Sequence, residues 1–145
     1  MTFGHALATA ATFLWLGMVL VISFIEAPLK FRAPGITIPL GLGIGRLVFR
    51  ALNAVEAVWS IVLVVVMLVG DGWTRSAVVA VAVAVATLMI QMLAVRPPLN
   101  RRSDAVLAEP GDVSETRSHA HLWYVGLEVI KVVALVVAGA SLLSA

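Results

Sequence analysis

The sequence predicts an all-α protein, a single domain built as a bundle of four transmembrane helices. Of its 145 residues, 61% are hydrophobic and only 12% are charged, whereas a soluble domain has about 25% charged residues. The mean hydropathy is +1.06. Apolar runs of about 18 residues or more indicate membrane spans, and four such runs occur, at residues 3–25, 42–69, 76–95 and 118–143. This length leaves no room for a separate soluble domain.

The first two spans are separated by a connector rich in proline and glycine. The first span is expected to end before Pro28, because proline within a helix removes a backbone hydrogen bond and clashes with the preceding turn. The second span is expected to begin near Leu40 and to end at Gly70. Gly41 and Gly45 form a pair of small residues that allows close helix contact.

The third span alternates valine and alanine, which in a soluble protein would be typical of a strand. The length of its apolar run indicates a membrane helix instead. One face of this helix is a seam of small residues that ends in an amide: Ala77, Ala80, Ala84, Thr87 and Gln91. Pro97-Pro98 is expected to end the span. Residues 99–117 are interpreted as a solvated loop, with Ser114 as the N-cap of the fourth helix.

The basic residues predict the orientation of the helices. Eight lysines and arginines flank the first and third connections, against one, Arg75, beside the second: Lys30, Arg32, Arg46, Arg50, Arg96, Arg101, Arg102 and Arg117. The positive-inside rule then places loops 27–39 and 96–117 in the cytoplasm and both termini outside. The chain is therefore expected in the cell membrane, in contact with lipid, and its basic residues do not indicate nucleic-acid binding.

Polar and ionisable residues inside the spans are the candidates for function, because such residues are expensive in hydrocarbon. They are Glu26, Asn53, Glu56, Gln91, His121, Tyr124, Glu128 and Lys131. The last four form a stripe along one side of the fourth helix, because residues three and four apart share a helix face. Glu56 lies ten residues from Arg46, and Glu128 eleven from Arg117. At ~1.5 Å per residue, both carboxylates lie roughly 15 Å from the cytoplasmic side, which predicts a polar pocket that opens inward.

Three interpretations of these residues stay open. In the first interpretation, Lys131 neutralises Glu56 or Glu128 and the ion pair holds the bundle together. Alternatively, one carboxylate exchanges protons with the cytoplasm through His121. A third possibility is a metal or cofactor site using His121, Glu128 and Glu56. Glu26 has its own alternative role, as an interfacial partner of Lys30 or Arg32.

The sequence identifies no cofactor and gives little support to an enzyme. Cysteine is absent, which excludes disulfides, thiolate metal sites and a cysteine nucleophile. His119 and His121 point about 200° apart on a helix, so only one of them can face the core. The paired Glu-x-x-His motif of di-metal bundles and any nucleophile–base arrangement are missing from the chain.

Several short stretches in the first half of the chain resemble a known family. They are Leu14-Trp15-Leu16-Gly17, Phe24, Ala27-Pro28, Phe31-Arg32, Gly45-Arg46 and Phe49. In these stretches the chain resembles the small four-span membrane family that contains the transmembrane protein associated with platinum-drug resistance. Glu26 and the PGITIP connector depart from that pattern. The resemblance implies a four-helix membrane bundle and a role in handling small molecules or metal compounds, and it assigns no catalytic residues.

Together these observations predict a small membrane protein that binds or transports a small molecule, a metal compound or a proton, as an oligomer or with a larger partner. An accessory subunit of a larger membrane complex is the alternative, with the polar residues holding helices together. A membrane enzyme with a bound cofactor is a third possibility.

Overall fold

The computed structural model describes residues 2–95 and 119–145, and these residues form four long helices and no strand. Each helix is long and apolar enough to cross a membrane. The helices are α1 (Phe3–Arg32), α2 (Ile38–Val69), α3 (Arg75–Ile90, continued by Gln91–Val95) and α4 (His119–Ser144). The predicted all-α bundle of four helices is confirmed, and the chain is a multi-pass membrane protein.

Threonine caps define the starts of the first three helices. The hydroxyl oxygens of Thr2, Thr37 and Thr74 accept hydrogen bonds from backbone N–H groups three residues ahead, at 3.1–3.3 Å. Such a cap satisfies one of the N–H groups that the first helical turn leaves without a partner. Two glycines with positive φ, Gly35 and Gly72, allow the tight turns between these helices.

Helix α1 does not end before Pro28, so that prediction is wrong. After an α-helical part, Phe3–Val19, the chain forms a π-helical segment, Leu20–Glu26, and then continues through Pro28 to Arg32. The N–H of Ala27 donates to the carbonyl of Ile22, five residues back. This wider turn lies just before Pro28. In a regular α-helix the proline ring would clash with the backbone carbonyl four residues earlier. The π-helical segment thus accommodates Pro28 within a continuous helix.

The other helix boundaries lie close to the predicted ones. Helix α2 begins at Ile38, four residues before the predicted span, with Pro39 in its first turn. Proline is tolerated there because the N–H it lacks has no partner within the helix. The predicted stop at Pro97-Pro98, the solvated loop 99–117 and the Ser114 cap lie outside the described residues.

The helices pack in chain order around the bundle. Helix α1 packs against α2 and α4, and the most extensive packing is between α3 and α4, while α2 and α3 contact each other less. Helices α2 and α4 therefore face each other across the centre of the bundle, as do α1 and α3. Any polar group that α2 and α4 direct towards each other lies at the common centre of all four helices.

Small residues make close helix packing possible in two places. The predicted seam on α3, from Ala77 to Gln91, is buried along its whole length. Gly41 and Gly45 at the start of α2 contact Phe31 and Lys30 at the end of α1, so closely that a Cβ at either glycine would meet those side chains. The predicted close contact at this glycine pair is thus present, and its partner is the last turn of α1.

A histidine connects three helix ends at the opposite end of the bundle. The ring of His5 stacks on Trp73, with centroids 5.7 Å apart and planes 12° apart. Its Nε2–H donates to the carbonyl of Leu142 at 2.5 Å, one of the last carbonyls of α4, which lack helical partners. This contact ties the start of α1 to the end of α4.

The packing of α4 against α1 predicts different effects for two substitutions on one helix. At Gly139 a Cβ would lie 2.7 Å from Phe13 Cζ, whereas at Gly126 nothing lies within 4 Å. Gly139→Leu should therefore lower the free energy of unfolding by about 1 kcal/mol, the low end of the cost of overpacking, because the Phe13 ring is 41% exposed and can move aside in part. Gly126→Leu is the matched control and should leave the melting temperature in detergent unchanged or slightly higher. Equal melting temperatures for the two variants would show that this close contact does not stabilise the bundle.

Candidate functional site

Three ionisable side chains meet at the centre of the bundle, and we call Glu56, Glu128 and Lys131 the ion cluster. The Lys131 Nζ lies 2.5 Å from Glu56 Oε1 and 2.6 Å from Glu128 Oε1. The three side chains are 0%, 2% and 0% exposed, respectively. Glu56 comes from α2 and the other two from α4, so the cluster bridges the two helices that face each other across the bundle.

Helix α3 contributes an amide to this cluster. The Lys131 Nζ donates to Gln91 Oε1 at 2.8 Å, and Gln91 Nε2 donates to the backbone carbonyl of Tyr124 at 3.3 Å. Lys131 thereby contacts three side-chain oxygens, those of Glu56, Gln91 and Glu128, of which Glu128 Oε1 is an ion-pair partner without hydrogen-bond geometry. Gln91 is itself fully buried, and its position at the end of the α3 seam brings it to the ammonium.

Helix α1 contributes two donors, one to each carboxylate. The indole Nε1–H of Trp15 donates to Glu56 Oε1 at 2.8 Å, and the Ser23 hydroxyl donates to Glu128 Oε2 at 2.9 Å. The sequence analysis identified neither residue as part of a site. Ser23 carried a signal, as a hydroxyl within an apolar span. Trp15 carried a weaker signal, since a buried indole N–H usually finds an acceptor but the sequence does not show which acceptor reaches it.

Both π-helical segments of the described chain hold a residue that contacts the ion cluster. Ser23 lies within Leu20–Glu26, and Gln91 is the first residue of Gln91–Val95. A π-helical turn contains an extra residue and so changes the direction of the side chains that follow; such turns occur often at functional sites. Ser23 lies inside such a turn, whereas Gln91 precedes the wide turn and takes its direction from the α-helical spacing of the α3 seam.

Among the buried cluster oxygens without a hydrogen bond, Glu128 Oε1 still lies 2.6 Å from the Lys131 ammonium, whereas Asn53 Oδ1 and Glu56 Oε2 have no such partner. Asn53 is 5% exposed and lies one helical turn before Glu56 on the same face of α2. Both atoms are acceptors, so this part of the site is complementary to a hydrogen-bond donor or a cation. Tyr124, from the predicted stripe, is buried beside them on α4 and contacts the Phe49 ring edge-on at 5.9 Å.

Glu26 lies in a different group of charges. Its Oε2 is 3.8 Å from the Lys30 Nζ, which also lies over the rings of Phe31 and Phe49 at 5.5 and 5.7 Å. This is the interfacial pairing that the sequence analysis held open for Glu26. The side chain of His121 lies outside the described part of the structure, so its proposed relay role stays a prediction.

The charges of the ion cluster do not balance when both glutamates are ionised. Two carboxylates then share one ammonium, which leaves one negative charge that no other charged side chain contacts in the described structure. An uncompensated charge inside a membrane bundle costs several kcal/mol. A proton or another cation would remove this cost, which makes the cluster a candidate binding site for a cation.

The cavity next to α4 is not the polar pocket that the sequence predicted. It is a groove of about 340 Å³ lined by Leu122, Trp123, Gly126, Leu127 and Ile130. These residues lie on the side of α4 away from the stripe of Tyr124, Glu128 and Lys131. The groove is therefore an apolar surface on the outside of the bundle, and the inward-opening polar pocket stays a prediction.

A metal site has no support among the described side chains, in which no three histidine, aspartate or glutamate residues come together. The predicted set of Glu56, Glu128 and His121 includes one side chain outside that search. Within the cluster, Lys131 lies between the two carboxylates, where a metal ion bound by both would have to be. The ammonium thus takes the place that the metal hypothesis requires.

Comparisons with known proteins give no match to this chain: no family model matches it, nor does any curated protein or any solved structure. The fold and the site therefore define the class by themselves. The protein is a small integral membrane protein whose four helices share one buried ion cluster.

The cluster geometry predicts a large effect for removal of its single cation. Lys131→Met should lower the free energy of unfolding by about 3–5 kcal/mol, because it leaves the buried acids Glu56 and Glu128 without the ammonium that they contact. Adding Glu128→Gln to that variant should restore part of the loss, since one of the orphaned acids is gone. Thermal melting in detergent measures both effects.

Lys30→Met is the matched control, because Lys30 also pairs with a glutamate on its own helix but at 3.8 Å and nearer the surface. Its removal should cost less than that of Lys131, about 1–2 kcal/mol, because the pair is only partly buried, at 11% and 30% exposed, and the ammonium also gives up its contacts with two aromatic rings. A similar loss for Lys30→Met and Lys131→Met would contradict the assignment of Lys131 as the central counter-ion.

Proposed function

We propose that this protein is a small membrane transport protein in which the ion cluster binds a proton. The observation that carries the proposal is the charge count: two carboxylates, Glu56 and Glu128, contact one ammonium, Lys131, in a site that is 0–2% exposed. A purely structural ion pair needs one carboxylate for one ammonium. The second carboxylate makes the site able to take up and release a proton when its surroundings change.

The direction of proton exchange follows from the orientation that we propose for the chain. The basic residues favour cytoplasmic loops 27–39 and 96–117, with both termini outside the cell membrane. Glu56 and Glu128 then lie roughly 15 Å from the cytoplasmic surface. Asn53 lies on the cytoplasmic side of Glu56, and it has a buried acceptor without a partner. This polar face of α2 is the path we propose between the cytoplasm and the cluster.

The proton is proposed to be coupled to movement of a small molecule or a metal compound. The resemblance of the first two helices to the family that includes the platinum-drug-resistance-associated protein supports this choice of cargo. Four helices whose centre is filled by side chains leave little space for a cargo path inside one bundle. We therefore propose that the protein acts as an oligomer or with a larger membrane partner.

An accessory structural subunit is the second candidate function. One observation favours it: all four helices contribute to the hydrogen bonds of the ion cluster, through Trp15, Ser23, Glu56, Gln91, Glu128 and Lys131. Polar contacts between helices stabilise membrane bundles, and this cluster would serve that purpose without any transport. A cofactor-dependent enzyme, the third class, has no supporting contact among the described side chains.

Proton transport is tested by reconstituting the purified protein into liposomes that contain a pH-sensitive dye. Wild-type protein should dissipate an imposed pH difference faster than empty liposomes do, and Glu56→Gln should reduce the rate to that of empty liposomes. Asp71→Asn, which removes an exposed acid in the α2–α3 connector, is the control and should keep the wild-type rate. If liposomes with wild-type protein dissipate the pH difference no faster than empty liposomes, with and without a candidate cargo, the result favours the role of a structural subunit.

The orientation is tested by cysteine labelling in intact cells, which is clean because the chain has no native cysteine. Ala33→Cys and Asp71→Cys place thiols at exposed positions in the first and second connections. An impermeant maleimide should label the cysteine at position 71 and should label that at position 33 only after the cells are permeabilised. The reverse pattern would invert the topology and the side from which the cluster receives its proton.

A further inference from the structure

The two glutamates of the ion cluster have different hydrogen-bond environments. Both oxygens of Glu128 face a polar partner: Oε2 accepts a hydrogen bond from Ser23, and Oε1 lies 2.6 Å from the ammonium of Lys131 in an ion-pair contact that lacks hydrogen-bond geometry. In Glu56 a single oxygen contacts both donors, since Oε1 accepts from Trp15 at 2.8 Å and lies 2.5 Å from Lys131. Glu56 Oε2 is buried and contacts no donor.

These environments suit different protonation states. An ionised carboxylate is stabilised by a positive charge or a donor at each of its oxygens, and Glu128 has the ammonium at Oε1 and the Ser23 hydroxyl at Oε2. A neutral carboxylic acid has one carbonyl oxygen that accepts and one hydroxyl that donates. Glu56 has that arrangement, with two donors at Oε1 and none at Oε2, where a proton would displace nothing.

From this difference we infer that the exchangeable proton of the ion cluster is carried by Glu56, on Oε2, and that Glu128 is the permanent counter-ion of Lys131. This inference rests on the proposed proton-binding function and names the group that performs it. The carboxyl carries one proton in the loaded state and loses it to the cytoplasmic path when the site is emptied. In the emptied state Lys131 lies between two carboxylates.

The surroundings of Glu56 supply no other charged partner in the described structure. Helix α4 directs Lys131 and Glu128 towards it and carries Tyr124 on the same face; α1 contributes the neutral indole of Trp15, and α3 the amide of Gln91 through Lys131. On α2 itself, the neighbour one turn away is Asn53, whose Oδ1 is a buried acceptor without a partner. A hydroxyl at Glu56 Oε2 needs such an acceptor, and Asn53 lies on the proposed cytoplasmic path.

Infrared spectroscopy tests the assignment, with the purified protein in lipid nanodiscs in H₂O and in D₂O. Wild-type protein should show the C=O stretching band of a protonated carboxyl at neutral pH, with the small shift in D₂O that identifies it. Trp15→Phe removes one donor to the Glu56 carbonyl oxygen, so the band should move to higher frequency. Ser23→Ala removes a donor to Glu128 and is the matched control, which should leave the band in place.

Glu56→Gln should abolish the band because it removes the group that carries the proton. Glu128→Gln does not discriminate between the two glutamates, because one carboxylate then balances Lys131 and Glu56 loses its proton as well. If Trp15→Phe or Glu56→Gln fails to fold, Ser23→Ala still decides the question in a nearly native protein. A band that moves in Ser23→Ala assigns the proton to Glu128, and no band in wild-type protein shows that both glutamates are ionised; either result overturns the inference.

The liposome assay separates this inference from the proposed function. Loss of proton flux in Glu56→Gln together with a band that moves in Ser23→Ala would keep the transport function and reject Glu56 as the carrier. A band that moves only in Trp15→Phe, in a protein without proton flux, would keep Glu56 as the protonated group and reject transport.

Discussion

The central constraint on this structure is that Lys131 must be satisfied inside a membrane bundle. The free-energy cost of an ammonium without partners at that depth would be prohibitive, because no water is available there to replace them. The three oxygens that it contacts come from α2, α3 and α4, and the two carboxylates also accept hydrogen bonds from α1. Packing of the four helices in chain order, with α2 opposite α4, brings all these groups to one point.

The π-helical segments follow from the same constraint. A regular α-helix repeats every 3.6 residues, and the apolar surface of α1 and α3 must pack along the whole helix length. An extra residue in one turn lets a helix redirect a polar side chain without giving up its packing above and below. Ser23 is inside such a turn, whereas Gln91 stands at the start of one and keeps the α-helical register of the α3 seam. In α1 the wide turn has a second effect, because it lets the helix continue through Pro28 and bring Phe31 and Lys30 onto the glycines of α2.

The excess of one carboxylate distinguishes this cluster from an ordinary buried salt bridge. One carboxylate paired with one ammonium is electrically neutral, whereas two carboxylates on one ammonium keep a net negative charge until a proton or another cation binds. We assign the missing proton to the buried oxygen of Glu56 that contacts no donor. The charge count shows that one of the two acids lacks a counter-ion, and the hydrogen-bond pattern is what distinguishes Glu56 from Glu128.

The sequence by itself determined the class of fold and most of the polar residues of the site. Hydropathy defines membrane spans because the lipid imposes both their length and their composition. Helical spacing places Glu128 and Lys131 on one face of α4, and Asn53 and Glu56 on one face of α2, because these relations are local. The same local reasoning predicted the buried seam of α3 that ends at Gln91.

Only the tertiary structure decided which of these residues meet. Hydropathy does not indicate which helices face each other, so it could not show that α2 and α4 join at Lys131. The π-helical turns and the donors Trp15 and Ser23 were missed for the same reason. A wide turn has no simple sequence pattern, and a tryptophan becomes a donor to a carboxylate only when another helix brings that carboxylate within 2.8 Å of its indole nitrogen.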